Sequence, residues 1–349
     1  MANSLRIAVD AMGGDHGPRV IVSALLESLS QHSNVNALLF GDGDELATQL
    51  KNCPDAAVVS RIEIRHSDCC VADTDKPSTV IRHKRESSMG LALQALANNE
   101  ADAFVSAGNT GAMMALGLYY VKSLPGISRP AICTAIPTST GRSYVLDLGA
   151  NLDCSAKQLH QFALLGSLMA QELDGIAAPV VRLLNVGEED NKGHAYIQEA
   201  ATLLEAEPLI NYRGYIEGNG IFEGGTDVVV CDGFTGNVAL KTSEGLTAMV
   251  STMFREAVGN SWLTKLALML VKTPLQKLKA QLDPAIYNGA YFLGLNAVVV
   301  KSHGGASKAA FVHALDVAID AAEHNLPEVL SPILVNKQKM DQQINLEEL

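Results

Sequence analysis

The 349-residue sequence lacks several patterns that would assign it to a common class of protein. No apolar run reaches about 18 residues, the length that would indicate a membrane-spanning helix. The six cysteines show no CxxC motif and no Cys/His spacing typical of zinc, so we expect a reduced protein that uses no metal or other cofactor. The start, MANSLRIAVDAMGG, has neither the basic region nor the cleavage site of a signal peptide, and we therefore expect a cytoplasmic protein.

Two nucleotide-binding fingerprints are also missing. No GxGxxG follows the first predicted strand, and no GxxxxGK[ST] occurs, which disfavours an ordinary dinucleotide-binding domain and a P-loop kinase or ATPase. The net charge of −12 argues against nucleic acid as a main ligand. The sequence also shows no nucleophile elbow and no clear Ser/His/Asp or Cys/His arrangement.

What is present is an alternation of β-branched apolar runs with helical patterns. The predicted strands are Leu5–Asp10, Ala37–Phe40, Ala103–Ala107, Ala131–Ile136, Tyr144–Leu148, Val180–Val186, Asp227–Cys231 and Ala297–Lys301. Helical patterns follow most of them, including Arg19–Gln31, Ala112–Ser123, Ala156–Leu173, His194–Glu205, Val238–Met253 and Lys308–His324. This order predicts one large α/β unit over residues 1–335, with a mostly parallel sheet covered by helices on both faces. The polar residues 336–349 predict a frayed tail.

Five of the apolar runs stop at a polar turn, and a helical segment begins at once. Four turns are rich in glycine: GGDHGP (13–18), GNTGA (108–112), GFTGN (233–237) and HGGAS (303–307); the fifth is GEEDNKG (187–193). Each following helix starts with unpaired N–H groups and a partial positive charge, so several such turns at one edge of a sheet would form a crevice suited to phosphate. The candidate phosphate-binding residues in and beside these turns are Asp10, Gly14, Asp15, His16, Asn109, Thr110, Gly111, Gly236 and His303. For Asp10, Asp15 and His16, capping of the turn is an equally good interpretation.

Lys192 and Asn237 each end a polar turn near the predicted start of a helix. A lysine there can hold a phosphate as a point charge, and an asparagine amide can donate to a developing oxyanion. The alternatives are a surface lysine and an asparagine that caps its helix. The spacing leaves both alternatives open.

Residues 255–282 break the pattern of the chain. No acidic residue occurs from 257 to 282, while four lysines and the only tryptophan do, and Pro274 divides two amphipathic stretches. Two short helices are predicted, either lying on a membrane surface or packing against a partner subunit. The residues predicted to contact the membrane are Trp262, Leu263, Lys265, Leu266, Met269, Leu270 and Lys272.

Six motifs in order carry a resemblance: DAMGGDHGP, SAGNTGA, LDLGAN (146–151), NVGEEDNKG (185–193), CDGFTGNVALK (231–241) and KSHGGAS (301–307). Together they resemble the phosphate acyltransferase of bacterial phospholipid synthesis, from about Arg6 to about Asn325. The resemblance implies a three-layer α/β/α fold with a large mixed sheet, similar to isocitrate and isopropylmalate dehydrogenases and phosphotransacetylases, and it implies a homodimer. It implies transfer of a long-chain fatty acyl group from acyl carrier protein to inorganic phosphate, with Lys192 and Asn237 in the active site. It also supports a peripheral location on the inner face of the cell membrane, where a membrane glycerol-3-phosphate acyltransferase would take the product.

That chemistry accounts for the missing nucleophile motif, because phosphate itself would attack the thioester and no acyl-enzyme would be needed. Two rival hypotheses remain at the level of sequence. One is a metal- and nicotinamide-dependent decarboxylating dehydrogenase on the same fold, and the other is a non-enzymatic scaffold recruited to membranes through residues 255–282. The first would need clusters of carboxylates and basic residues that we cannot assign, and the second leaves the polar turns without a role.

Overall fold

The structure, a computed structural model, describes residues 4–258 and 288–347, and the strands in these ranges form one eleven-stranded sheet. The strands are β1 (Leu5–Asp10), β2 (Val35–Gly41), β3 (Ile62–His66), β4 (Ala103–Ser106), β5 (Ala131–Thr138), β6 (Gly141–Leu146), β7 (Val180–Leu184), β8 (Asn211–Ile216), β9 (Val228–Val230), β10 (Ala290–Leu293) and β11 (Val298–Lys301). Their order across the sheet is β3-β2-β1-β4-β11-β10-β5-β6-β9-β7-β8. All eight predicted strands are present. The three that were not predicted are two edge strands, β3 and β8, and the four-residue β10.

The helices connect these strands. They are α1 (Gly17–Gln31), α2 (Gly43–Lys51), α3 (Ala56–Val59), α4 (Pro77–His83), α5 (Ser88–Ala97), α6 (Thr110–Tyr120), α7 (Ala156–Asp174), α8 (Ala195–Glu205), α9 (Gly233–Val258), α10 (Lys308–Glu323) and α11 (Leu326–Glu347), with a short 3₁₀ helix at Gly220–Phe222. Pro18 lies in the first turn of α1, and the Ser155 side chain caps α7 by accepting from the backbone N–H of Gln158. Both positions agree with the residue preferences of helix starts.

Successive residues of the central strands point to opposite faces, and both faces are covered. In β1, Ile7 and Val9 join an apolar cluster with α1, α7 and α10, whereas Ala8 joins a second cluster with α5 and α6. This is the burial pattern of a sheet enclosed between two helical layers, which confirms the three-layer α/β/α prediction.

Strand direction divides the sheet into two halves. Strands β3, β2, β1, β4 and β11 are parallel to one another, and so are β6, β9, β7 and β8. Between the halves, β11, β10, β5 and β6 pair antiparallel in succession, so the second half runs opposite to the first. The turns after β1, β4 and β11 therefore lie at one edge of the sheet, and those after β7 and β9 lie at the other. The expectation of a crevice at a single edge is accordingly replaced by a cavity between the halves.

The end of the described chain is helical. α11 continues through residues 336–347, for which the polar composition predicts a frayed tail. Leu330 and Leu334 of this helix are buried, and Lys337 Nζ donates to Glu207 Oε2 at 2.7 Å, so the helix is fixed to the body of the protein by packing and by a charged contact.

The predicted helical pair at 255–282 lies almost entirely outside the described residues, as do Trp262, Leu263, Lys265, Leu266, Met269, Leu270 and Lys272. None of the helices in the described part of the chain is both long enough and apolar enough to cross a bilayer.

Candidate active site

A cavity of about 900 Å³ lies between the two halves of the sheet. Ile132 and Thr134 of β5 and Ala290 of β10 line its base, so it lies against the central antiparallel strands. The first half contributes the turns after β4 and β11 together with Asp15, and the second half contributes Gly149 and one face of α9. Four of the five polar segments predicted from the sequence thus supply at least one residue to the same cavity.

Asp10 lies beneath the cavity rather than in its lining. Its carboxylate is 1% exposed and accepts hydrogen bonds from Ser88 Oγ and Ser106 Oγ, both at 2.7 Å, and from the backbone N–H of Met12 at 3.2 Å. Burial raises the pKa of Asp10, and these hydrogen bonds oppose the rise. The Ser106 hydroxyl in turn accepts from the Gly108 N–H at 2.9 Å. In this geometry Asp10 positions the GNTGA turn and does not contact the cavity.

The GGDHGP turn, which follows β1, packs with its backbone against the backbones of the GNTGA and HGGAS turns. A Cβ atom on Gly13 would lie 2.5 Å from Gly108 N, and one on Gly14 would lie 2.8 Å from Gly304 O, so only glycine fits at either position. The Asp15 N–H donates to Gly304 O at 2.9 Å, and Asp15 reaches the cavity. Gly14 and His16 do not line it, and the His16 side chain makes no cap for α1.

Two helices begin at the cavity wall. α6 starts at Thr110 with Asn109 as its cap, whose Oδ1 accepts from the Ala112 N–H at 3.0 Å, and Thr110 and Gly111 line the cavity. α10 starts after Ser307, whose hydroxyl accepts from the Ala310 N–H at 3.3 Å. The first amides of an α-helix have no partner within the helix and carry partial positive charge. Two such helix starts on one cavity favour an anion there.

α9 forms the opposite wall. The GFTGN segment is the first turn of this helix rather than a loop before it, and Asp232 caps the helix by accepting from the N–H and the hydroxyl of Thr235, both at 2.8 Å. The interpretation of Asn237 as the capping residue is therefore wrong. Asn237 lies in the helix and lines the cavity together with Leu240, Lys241 and Glu244, because residues three, four and seven positions apart share one face.

The LDLGAN loop holds α9 in this place. The buried carboxylate of Asp147 accepts from the backbone N–H groups of Ile132, Gly149, Ala150 and Asn151 at 2.7–3.1 Å, which fixes the course of the loop. A Cβ atom on Gly236 would lie 1.9 Å from Asp147 O, so this glycine serves the close approach of helix and loop and does not line the cavity.

Two basic side chains that sequence reasoning did not single out face the cavity. Lys301 Nζ donates to Ala107 O at 3.2 Å and also to Ser302 O. Burial lowers the pKa of Lys301 to about 8; the nearby carboxylate of Asp73 opposes this lowering, and the charge of Lys241 adds to it. Lys241 Nζ pairs with Glu244 at 2.7 Å and lies 3.3 Å from His303 Nε2. Both lysines were within reach of sequence analysis. Lys301 is the first letter of the KSHGGAS motif, and Lys241 follows Asn237 by four residues on a helix.

His303 is fixed from several sides. Its backbone N–H donates to Asn288 Oδ1 at 2.7 Å, and its Nδ1 accepts from the Gly305 N–H at 3.1 Å. Burial lowers the pKa of His303, and the charge of Lys241 lowers it further, which favours the neutral ring.

Lys192 lies apart from this group. It is exposed at the end of the turn that follows β7, and it is not among the residues that line the cavity. Asn185 holds the turn by donating from Nδ2 to Lys192 O at 3.2 Å. The structure thus brings Asn237 and His303 to one cavity and leaves Lys192 outside it, and the role of Lys192 stays a prediction.

Comparisons with known proteins agree with one another. A family model described as fatty acid synthesis protein matches residues 5–329. The chain is 48% identical over 328 residues to a phosphate acyltransferase of Hydrogenovibrio crunogenus, covering 94% of this chain and 97% of that protein. It is 47% identical over 325 residues to a phosphate acyltransferase of Coxiella burnetii, with coverages of 93% and 95%.

Solved structures show the fold. A phosphotransacetylase from Streptococcus pyogenes superposes with a TM-score of 0.63 at 15% identity, covering 92% of this chain and 95% of that one. A branched-chain phosphotransacylase from Enterococcus faecalis gives a TM-score of 0.55 at 13% identity, with coverages of 91% and 99%. Similarity to the phosphotransacetylase fold, implied by the six motifs, is confirmed.

Proposed function

The chain belongs to the phosphate acyltransferases, and from this membership we propose that it transfers a long-chain fatty acyl group from acyl carrier protein to inorganic phosphate. The product is an acyl phosphate for the synthesis of phosphatidic acid and other phospholipids. The enzyme is an acyltransferase of fatty acid and phospholipid synthesis in any case, and the proposal concerns its acyl donor and its product.

The observation that supports the proposal best is the pairing of two helix starts with basic side chains on one cavity. The N-terminal amides of α6 and α10, together with Lys241 and Lys301, offer positive charge from backbone and side chains alike. A small dianion such as phosphate fits such a wall.

In this reaction the protein has to position phosphate against the thioester, and it does not have to supply a nucleophile of its own. A phosphate oxygen attacks the thioester carbonyl carbon, a new C–O bond forms, the C–S bond breaks, and the carrier leaves as a thiolate that takes a proton from solvent. No cysteine lines the cavity in the part of the chain that the structure describes, and the Ser307 hydroxyl is engaged as a helix cap. These features favour direct attack by phosphate over an acyl-enzyme.

Asn237 is the proposed donor to the carbonyl oxygen as negative charge develops on it. Asn237 lines the cavity on the wall formed by α9, whereas the two helix starts belong to the first half, so phosphate and thioester would meet between the halves of the sheet. Lys192 enters the proposal through the resemblance alone, as a further contact for phosphate.

The proposed partners follow from the product. A long acyl tail released into water exposes apolar surface worth about 0.8 kcal/mol per methylene, which favours an enzyme that rests on the inner membrane surface. We therefore retain an enzyme that binds membranes peripherally, receives acyl carrier protein from the cytoplasm and passes product to a membrane glycerol-3-phosphate acyltransferase. The homodimer enters the proposal through the resemblance alone.

The test is incubation of the purified protein with acyl carrier protein thioester and phosphate, without nucleotide and with a metal chelator, while free carrier thiol is measured. We expect thiol release that needs phosphate and is unaffected by the chelator. Omission of phosphate is the matched control. If clean, folded protein releases no thiol, or releases it only with added metal or nucleotide, the proposed reaction is incorrect.

A further inference from the structure

The His303 ring makes two contacts that cannot both be hydrogen bonds in one state. Gly305 N–H donates to Nδ1, and Lys241 Nζ lies 3.3 Å from Nε2. Each contact calls for a lone pair on the ring nitrogen, but a neutral imidazole has a lone pair on only one of its nitrogens. One of the two neighbours therefore faces an N–H group.

The backbone contact decides which nitrogen carries the proton. Gly305 is two residues from His303 in the same turn, so its N–H is held in place, whereas Lys241 reaches the ring at the end of a long side chain. With Nδ1 accepting from Gly305, the proton lies on Nε2. The Nε2–H group and the Lys241 ammonium then face each other as two donors with no acceptor between them.

We propose that Lys241 and His303 form a clamp for one anionic oxygen of phosphate, to which Lys241 Nζ and His303 Nε2–H both donate; the two nitrogen atoms are 3.3 Å apart, close enough for one oxygen to accept from both. This inference rests on the proposed function, because it names the residues that would hold its nucleophile. Glu244 is a positioning residue in the clamp, since its carboxylate holds Lys241 at 2.7 Å on the same face of α9.

The clamp places the nucleophile beside the proposed oxyanion donor. Asn237 and Lys241 are one helical turn apart on α9, which is about 6 Å along the axis. A phosphate held at Lys241 would therefore lie next to a carbonyl whose oxygen faces Asn237. Lys241 is thus expected to affect phosphate binding, while Asn237 affects the chemical step.

The test measures phosphate binding directly, by calorimetric titration of inorganic phosphate into protein without acyl donor, alongside the phosphate KM and kcat of transfer. We expect Lys241→Gln to raise both the phosphate Kd and KM at least tenfold while kcat falls less than threefold. Lys241→Arg should recover part of the loss. Lys51→Gln, which removes an exposed lysine at the end of α2, is the matched control and should leave Kd unchanged.

Two variants at His303 separate the clamp from the structure of the turn. Asparagine can keep an acceptor near the position of Nδ1 for Gly305 but lacks the Nε2–H group, whereas glutamine can place an amide N–H near Nε2. We expect His303→Asn to weaken phosphate binding at least tenfold and His303→Gln to weaken it less. The Lys241→Gln, His303→Asn double variant should lose less than the product of the two single losses, because both donors serve one oxygen.

The outcomes distinguish the two proposals. If wild-type protein binds phosphate, the variants lose that binding and no carrier thiol is released, the clamp is supported and the proposed function is not. If transfer proceeds and Lys241→Gln, folded by circular dichroism, keeps the wild-type phosphate Kd and KM, the clamp is wrong while the proposed function stands. Should His303→Asn fail to fold, Lys241→Gln alone decides, because Lys241 is an exposed side chain of α9.

Discussion

Lys301 gives the sharpest test of the cavity's electrostatics. Its ammonium is largely buried beside the cavity, and burial lowers its pKa from 10.5 to about 8. The lower pKa means that the charged ammonium destabilises the folded protein, and the change from 10.5 to about 8 corresponds to about 3 kcal/mol of free energy of unfolding. We predict that this destabilisation is measurable as a pH dependence of stability that disappears in Lys301→Met.

The sign follows from proton binding. Below pH 8 the lysine is charged in both folded and unfolded chains, so the folded state bears the full cost. Between pH 8 and 10.5 the folded chain loses the proton while the unfolded chain keeps it, so the free energy of unfolding rises with pH. Lys301→Met lacks this rise. Relative to the variant, the wild type should therefore gain about 3 kcal/mol between pH 7 and pH 10.5.

The assay is urea unfolding followed by circular dichroism at four pH values from 7 to 10.5, at one fixed protein concentration. Only the difference between the two proteins is used, because tyrosines and other lysines titrate in both. The loss of the hydrogen bonds to Ala107 O and Ser302 O shifts that difference by a constant and leaves its slope unchanged. Lys51→Met serves as the exposed control. A wild-type minus Lys301→Met difference that stays constant within about 0.5 kcal/mol over this range would refute the buried-cation account.

Four further predictions concern Lys192, Asn237, Glu207 and the pair Leu263 and Leu266. Lys192→Ala should raise the phosphate concentration needed for half-maximal transfer in a protein that melts like the wild type; unchanged phosphate dependence would remove Lys192 from the site. Asn237→Ala should lower single-turnover rates by about 3 kcal/mol of transition-state stabilisation with little change in melting temperature, since Asp232 caps the helix; a normal rate would contradict the oxyanion role. Hydrogen bonds from His160 and Lys337 outweigh the effect of burial and lower the pKa of Glu207 to about 2. Glu207→Gln should therefore lose up to about 3 kcal/mol of stability at pH 7, and this loss should fade as pH falls from about 4.5 towards 2. Urea titrations that show a pH-independent loss would argue against this account. Leu263→Glu, Leu266→Glu should abolish salt-sensitive sedimentation with anionic vesicles while the protein stays dimeric; a monomeric product would identify an oligomer interface instead.

The sequence predicted local structure well where residues close together in the chain determine that structure. The apolar runs of β1, β4 and β11 are fixed by neighbouring residues, and all three strands are present in the structure. The edge strands β3 and β8 were missed because charged residues and Gly214 interrupt their apolar pattern. β10 was missed because its sequence, AYFL, has none of the β-branched residues that mark the equally short β4 and β11.

The arrangement of the site was less accessible from the sequence. Whether two strands pair parallel or antiparallel is decided by tertiary contacts, so the reversal at β10 and β5 left no local signal, and the turns were expected at one edge. Asn237 reaches the cavity because one face of α9 lines it, whereas Lys192 ends the turn after β7, one strand farther from the centre of the sheet. Lys241 could have been found from its helical spacing to Asn237. The tautomer of His303 could not have been predicted from the sequence, because it depends on the path of the backbone at Gly305.

The opposed directions of the two halves have a kinetic consequence. His303 follows β11 in the first half, Lys241 and Asn237 lie on α9 in the second half, and the pairing of β10 with β5 lies between them. An anion that accepts hydrogen bonds from both His303 and Lys241 would connect the two halves of the sheet and fix the distance between the two walls of the cavity before the thioester binds. We therefore expect an ordered sequence of encounters, in which phosphate binds before the acyl carrier and the carrier binds more tightly once phosphate is in place.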